Sequence, residues 1–200
     1  MKLVMLTGFL GVGKTTLLLE LVRALASGND LKFVILENEV GEVGIDGSYL
    51  ESQGLKVKEL FSGCICCQLA ADLVTTLNQL QETFAPDGVF LEPSGMAIPR
   101  NILETMDKYC KVVEEVLVVS IVDAERYGIL LEAGMPLVIN QIEPAQVIAI
   151  SKIDLMSEEE LSDIAAKVRE VNPSADIIQV SAIKGTNLEI LTRRIGQLWT

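Results

Sequence analysis

"KLVMLTGFLGVGKTT", residues 2–16, is the stretch on which the fold turns. A short apolar run ends in glycine and reads as a buried strand. The segment from Lys14 to Ser27 is apolar nearly all round, with Gly28 just past its end, and reads as a buried helix with a glycine stop. Between them, Gly8 to Thr15 fit G-x-x-x-x-G-K-[ST], the strand–turn–helix setting that a phosphate-binding loop requires. Gly8, Gly11 and Gly13 let successive N–H groups around Val12 turn inward onto phosphate oxygens, and the helix start at Thr15 and Thr16 adds its positive end. Lys14 reaches the β- and γ-phosphates and the Thr15 hydroxyl ligates Mg²⁺. A glycine turn with an incidental lysine is the plainer alternative, and the flanks argue against it. A nucleoside triphosphate is the expected ligand.

Further strands are predicted at "LKFVILENE", "LKVKELF", "DGVFLE", "EEVLVVSIVDAE", "AQVIAISKID" and "ADIIQVSA". Helices are predicted over residues 69–83, over "SEEELSDIAAKVREV" and over "TNLEILTRRIGQLW". Ser157 with Glu160 three residues on forms a capping box. Apolar strands alternating with helices specify an α/β fold of the P-loop NTPase kind, a mostly parallel central sheet with helices on both faces. No linker or repeat divides residues 1–200, which read as a single domain. Sixteen basic against 28 acidic residues give a net charge of −12, which disfavours nucleic acid and anionic membrane as partners. No signal peptide or long apolar run is evident, so the cytoplasm is the expected location, where thiols stay reduced.

Two later loops bear on which base is bound. "SKID", Ser151 to Asp154, ends one strand, and "SAIKG", Ser181 to Gly185, ends the next. Ligands bind at the carboxyl ends of such strands. The pair resembles the guanine-reading elements of GTPases, N-K-x-D and S-A. The resemblance implies that Asp154 accepts two hydrogen bonds from guanine. It implies that the Lys152 stem packs on the base and that the Ala182 N–H faces O6, with Ile183 alongside. Ser151 replaces the usual Asn, and its single hydroxyl points to weaker guanine selectivity. Two ordinary loops are the alternative.

"LEPSG", Glu92 to Gly95 within it, stands where many GTPases have D-x-x-G. Together with "ENEVGEVGID", "GCICC" and "SIVDA" it resembles the CobW-like metallochaperone GTPases, relatives of the UreG- and HypB-type nickel-insertion GTPases. The resemblance runs over nearly all of the chain. It implies a GTPase that uses GTP, GDP and Mg²⁺ to load a transition metal into a client metalloprotein. It also implies docking or homodimer formation with nucleotide and metal bound. The family's C-terminal domain and its His-rich tracts are absent from these residues.

Cys64, Cys66 and Cys67 fall in four positions, while Cys110 is the only other cysteine and histidine is absent. Thiols at a helix start have a lowered pKa, which favours the metal-binding thiolate. Three converging thiolates suit Zn²⁺ or Cu(I), with Co²⁺ and Ni²⁺ also compatible. Small core residues and a redox pair are the alternatives, and Cys110 reads as an ordinary core cysteine. The acidic "ENEVGEVGID" is either a solvated loop or a switch ordered by the γ-phosphate. In the switch reading, which leans on the resemblance, Glu37 and Glu92 stand near Mg²⁺, Asp46 orients water, and Glu42 completes the cysteine site. Lys14, Asp46, Glu92 and Gly95 are then the hydrolytic set. A regulatory GTPase without metal and a small-molecule phosphotransferase remain as competing classes.

Overall fold

The computed structural model describes residues 1–27, 30–37, 56–59, 66–132 and 136–200. Seven strands form one sheet in the order β3-β2-β4-β1-β5-β6-β7. They are β1 (Lys2–Thr7), β2 (Phe33–Glu37), β3 (Lys56–Glu59), β4 (Gly88–Glu92), β5 (Glu115–Asp123), β6 (Val147–Ser151) and β7 (Asp176–Gln179). Every pairing between these strands is parallel. The helices are α1 (Lys14–Ala26), α2 (Cys66–Thr83), α3 (Pro99–Tyr109), α4 (Ala124–Glu132), α5 (Pro136–Ile142), α6 (Glu158–Val171) and α7 (Leu188–Gly196).

The continuous apolar runs follow from burial on both faces. In β1, Val4 and Leu6 join Leu17, Leu18, Leu21 and Val22 of α1 and Leu191 and Ile195 of α7 in one core layer. Leu3 and Met5, one residue out of phase, join Leu73, Leu77 and Leu80 of α2 and Met106 of α3 on the opposite face. Tyr127, Val138, Ile142 and Ile164 extend that second layer under β5 and β6. Residues 180–200 close the first layer. Trp199 packs edge-on against Phe33 at 5.1 Å between ring centroids and donates its indole N–H to Asp87 O at 3.1 Å.

Three helices go beyond the sequence expectation. α3 begins with Pro99 at its first turn and buries only Pro99 and Met106, a narrow apolar stripe on a mostly polar helix. α4 leaves β5 with no intervening turn, so a strand-like run conceals its start. α5 has only seven residues, fewer than a periodic pattern needs. α2 starts at Cys66, earlier than the predicted residue 69. The Ser157–Glu160 capping box forms as expected. The proposed stop at Gly28 lies outside the described residues.

The order of strands positions the site. From β1 the chain crosses to β2 on one side, while β5 lies on the other. The carboxyl end of β1 is therefore flanked by the ends of β4 and β5, the crevice where open α/β sheets bind ligands.

Candidate nucleotide site

The loop between β1 and α1 holds Gly8, Gly11 and Gly13 at positive φ of 147°, 73° and 93°. At Gly8 a Cβ atom would stand 2.6 Å from Ile121 O, so a side chain there would collide with the backbone of β5. The start of α1 has no side-chain cap and no acidic residue in its first turn. Its N–H groups and positive dipole end are thus left for an anion. Lys14 is buried at the helix start with 4% exposure.

The carboxyl ends of β4 and β2 stand beside this loop. Thr15 donates its hydroxyl to Glu92 Oε1 at 2.9 Å, and Glu92 is 3% exposed. Glu37 is the register partner of Glu92 on the adjacent strand. A threonine hydroxyl with two neighbouring carboxylates is an all-oxygen donor set that suits a hard cation such as Mg²⁺. Gly95, three residues past Glu92, packs so closely on Leu10 that an added Cβ would lie 2.8 Å from Leu10 N. Buried Gln141 holds this turn by donating to Gly95 O at 2.9 Å and Ala97 O at 3.1 Å.

On the other side of β1, a cavity of about 100 Å³ lies between α1 and the ends of β6 and β7. Val12, Gly13, Thr16 and Leu17 form one wall, and Ser151, Lys152, Asp154, Val180, Ser181, Ala182 and Ile183 form the rest. Ser181 donates its hydroxyl to Asp154 Oδ1 at 2.5 Å, fixing the carboxylate's orientation. Ile183 is 84% exposed at the rim. Ser151 is buried, and its hydroxyl lies 3.0 Å from Val12 O and 3.2 Å from Val122 O. Its hydrogen-bonding capacity therefore goes to the phosphate loop and β5.

The structure thus brings together Gly8, Gly11, Val12, Gly13, Lys14, Thr15, Thr16, Glu37, Glu92, Gly95 and the two base-side loops along one sheet edge. Asp46, Glu42 and Cys64 lie outside the described residues. Cys66 and Cys67 are the first two residues of α2. Among the described residues no group of three His, Cys, Asp or Glu side chains stands close enough to hold a metal. Cys110 is buried at 7% exposure in the core, in line with its plain reading. A larger cavity of about 450 Å³ opens at the other end of β5, beside Leu103, Met106 and Glu114, and holds none of the motif residues.

Sequence reasoning missed Asp123, Arg126 and Gln141. Asp123 ends the apolar β5 and carries no exposed side-chain surface. An acid closing a buried strand at the ligand edge was a readable signal. Arg126 and Gln141 gave none, because their partners at Leu10 and Gly95 are 116 and 46 residues away.

The chain is 42% identical over 102 residues to the zinc chaperone YeiR of Escherichia coli (strain K12), covering 51% of this chain and 30% of YeiR. It is 28% identical over 216 residues to the zinc-regulated GTPase metalloprotein activator 1 of Dictyostelium discoideum, covering 87% of this chain and 44% of that protein. The chain thus spans less than half the length of these two relatives. Among solved structures, the Zn(II)-bound YjiA GTPase from E. coli superposes with a TM-score of 0.68 at 25% identity, over 90% of this chain and 57% of that one. No described helix is long and apolar enough to cross a membrane. With its glycine loop and parallel sheet, and a match to the CobW/HypB/UreG nucleotide-binding domain over residues 2–179, the chain belongs to that family.

Proposed function

We propose that this domain binds and hydrolyses GTP, and that hydrolysis governs the holding and release of a transition metal bound by Cys64, Cys66 and Cys67 for delivery to a client metalloprotein. The observation that carries the nucleotide half is the hydroxyl of Ser181 held on Asp154 at the mouth of the cavity beside the phosphate loop. A carboxylate oriented in this way accepts from the N1–H and N2–H₂ of guanine, which adenine cannot offer in the same arrangement. Lys14 neutralises charge on the transferred phosphoryl group. Thr15, Glu92 and Glu37 would hold Mg²⁺, which supplies charge neutralisation across the β- and γ-phosphates. Gly95 sets its turn against Leu10, and Asp46 orients the attacking water.

The metal half rests on the thiols and on relatives named as zinc chaperones or zinc-regulated GTPases. Those names favour Zn²⁺ over Co²⁺ or Ni²⁺ as the cargo. Two of the three cysteines open α2, where the helix dipole favours thiolate. Glu42 is our candidate for the fourth position, a carboxylate that a client ligand can displace, which keeps the ion transferable in contrast to a closed structural site. We place this activity in the cytoplasm, with docking on the client or a nucleotide- and metal-dependent homodimer as the working assembly.

Two measurements test the reading. Competition binding of GTP and ATP should give a clear preference for GTP, and equal affinity would overturn the guanine assignment. Titration with Co²⁺ should give an intense thiolate charge-transfer band that Cys66→Ser weakens and Cys66→Ser with Cys67→Ser removes. No band at all would return the cysteines to core or redox roles and favour a regulatory GTPase without metal.

A further inference from the structure

Three consecutive carbonyls of the phosphate loop, those of Leu10, Gly11 and Val12, each face a side-chain donor, two from the end of β6 and one from α4. Arg126 Nη2 donates to Leu10 O at 2.6 Å, Lys152 Nζ to Gly11 O at 3.3 Å, and the Ser151 hydroxyl lies 3.0 Å from Val12 O. Ser151 and Lys152 belong to the base-side loop of the site. Arg126 lies on α4 and belongs to no motif.

Asp123 ties the row together. Its Oδ2 accepts from Lys152 Nζ at 2.7 Å and from Arg126 Nε at 3.0 Å, while its Oδ1 accepts from Glu125 N at 3.1 Å. The carboxylate has no exposed surface, whereas the Arg126 side chain is 40% exposed. Two cations around one carboxylate leave a net positive charge beside the loop. Arg126 spans from Asp123 to Leu10 because a guanidinium offers donors in a rigid fork.

A loop that turns its N–H groups inward to cradle phosphate turns carbonyls outward. Water can satisfy an exposed carbonyl but does not fix its direction, whereas a side-chain donor holds the peptide in one orientation. We infer that Arg126 is a positioning residue for nucleotide binding: with Asp123 behind it, it holds the Leu10 peptide so that the cradle is formed before phosphate arrives. Reorganisation is then avoided when the anion binds, as in other preorganised sites. The inference rests on the nucleotide-binding reading above.

The test compares the full chain as wild type, Arg126→Ala and Arg126→Lys. Fluorescent GTP and GDP analogues report affinity, steady-state hydrolysis reports KM and kcat, and melting is followed without nucleotide. Arg126→Ala should bind both nucleotides about tenfold more weakly, the loss expected for one charge-assisted hydrogen bond. KM should rise by a similar factor with a smaller change in kcat, and the nucleotide-free melting temperature should stay close to wild type. Arg126→Lys should recover part of the affinity, because a single ammonium reaches either Asp123 or Leu10 O. Unchanged affinity in Arg126→Ala overturns the positioning role. So does an affinity loss that tracks a fall in melting temperature and is not relieved by lysine. Wild-type protein that binds neither analogue would instead overturn the phosphate-loop reading, and this inference with it.

Discussion

Single atoms at the nucleotide edge set the most direct expectations. Lys14→Ala should abolish hydrolysis, because the lysine buried at the start of α1 would no longer neutralise charge on the γ-phosphate in the transition state. Turnover at the wild-type rate in that variant would refute the assignment. Asp154→Asn replaces one acceptor with a donor facing guanine. It should weaken GTP and favour xanthosine triphosphate, which presents a carbonyl there, as a competition assay between the two would reveal. Ser181→Ala leaves the Asp154 carboxylate without its 2.5 Å hydroxyl donor, and GTP affinity should fall about threefold to tenfold, the range of one modest hydrogen bond. At this scale the sequence was informative wherever chemistry and contiguity coincide, as in Lys14, Thr15 and Asp154. At Ser151 the residue type suggested a weakened base contact, and its hydroxyl faces the Val12 and Val122 backbone, a partner choice that no local signal showed. The sequence was silent at Arg126, whose role exists only through a partner in a distant loop.

Elements add their own tests. At α6, Ser157 accepts from Glu160 N, and Glu160 in turn accepts from the Ser157 backbone and hydroxyl. Ser157→Ala should destabilise the fold by about 1 kcal/mol, read by chemical denaturation. The Glu160 pKa is lowered, first by the Ser157 backbone hydrogen bond and then by the side-chain one. A lowered folded pKa contributes stability above the ordinary carboxylate range that is lost as pH falls through the folded value. The gap between wild type and Ser157→Ala should therefore narrow in acid. Tyr127 on α4 behaves in the opposite sense. Burial, with a smaller contribution from Glu170, raises its phenol to about 12, and its buried hydroxyl has no hydrogen-bond partner among the described residues. Its contribution is complete below the ordinary tyrosine pKa and lost as pH rises from about 10 towards about 12. Tyr127→Phe should be neutral or slightly stabilising at pH 7 and should resist alkaline unfolding better than wild type. Strands and the long helices α1 and α6 were legible because burial on both faces, or a cap, writes itself into local sequence. α3 and α5 were not, since α3 is mostly polar around a narrow apolar stripe and α5 has only seven residues.

Across the whole molecule, the question is how nucleotide and metal could sense each other. Helix α2 begins with Cys66 and Cys67 and presses Leu73, Leu77 and Leu80 onto the core layer built from β1, β2 and β4. Those strands deliver the phosphate loop, Glu37 and Glu92 to the same sheet edge. The thiol-bearing helix and the strands that carry Glu37 and Glu92 therefore share one core layer, with residues 38–55 as the covalent route between β2 and β3. If the acidic segment there orders around the γ-phosphate, metal affinity should be higher with a GTP analogue than with GDP. Reciprocity then requires the metal to favour GTP over GDP by the same factor, typically about 5–150-fold or ~1–3 kcal/mol. Zn²⁺ competition titrations in the GTP-analogue, GDP and nucleotide-free states measure one arm, and analogue binding with and without Zn²⁺ measures the other. Cys66→Ser with Cys67→Ser should remove the linkage and keep nucleotide affinity at its metal-free value, because neither residue belongs to the phosphate-loop motif or the base-side loops. Equal metal affinity in all three states would mean that the two sites share a domain without sharing free energy, and the switch role of the acidic segment would fall with it.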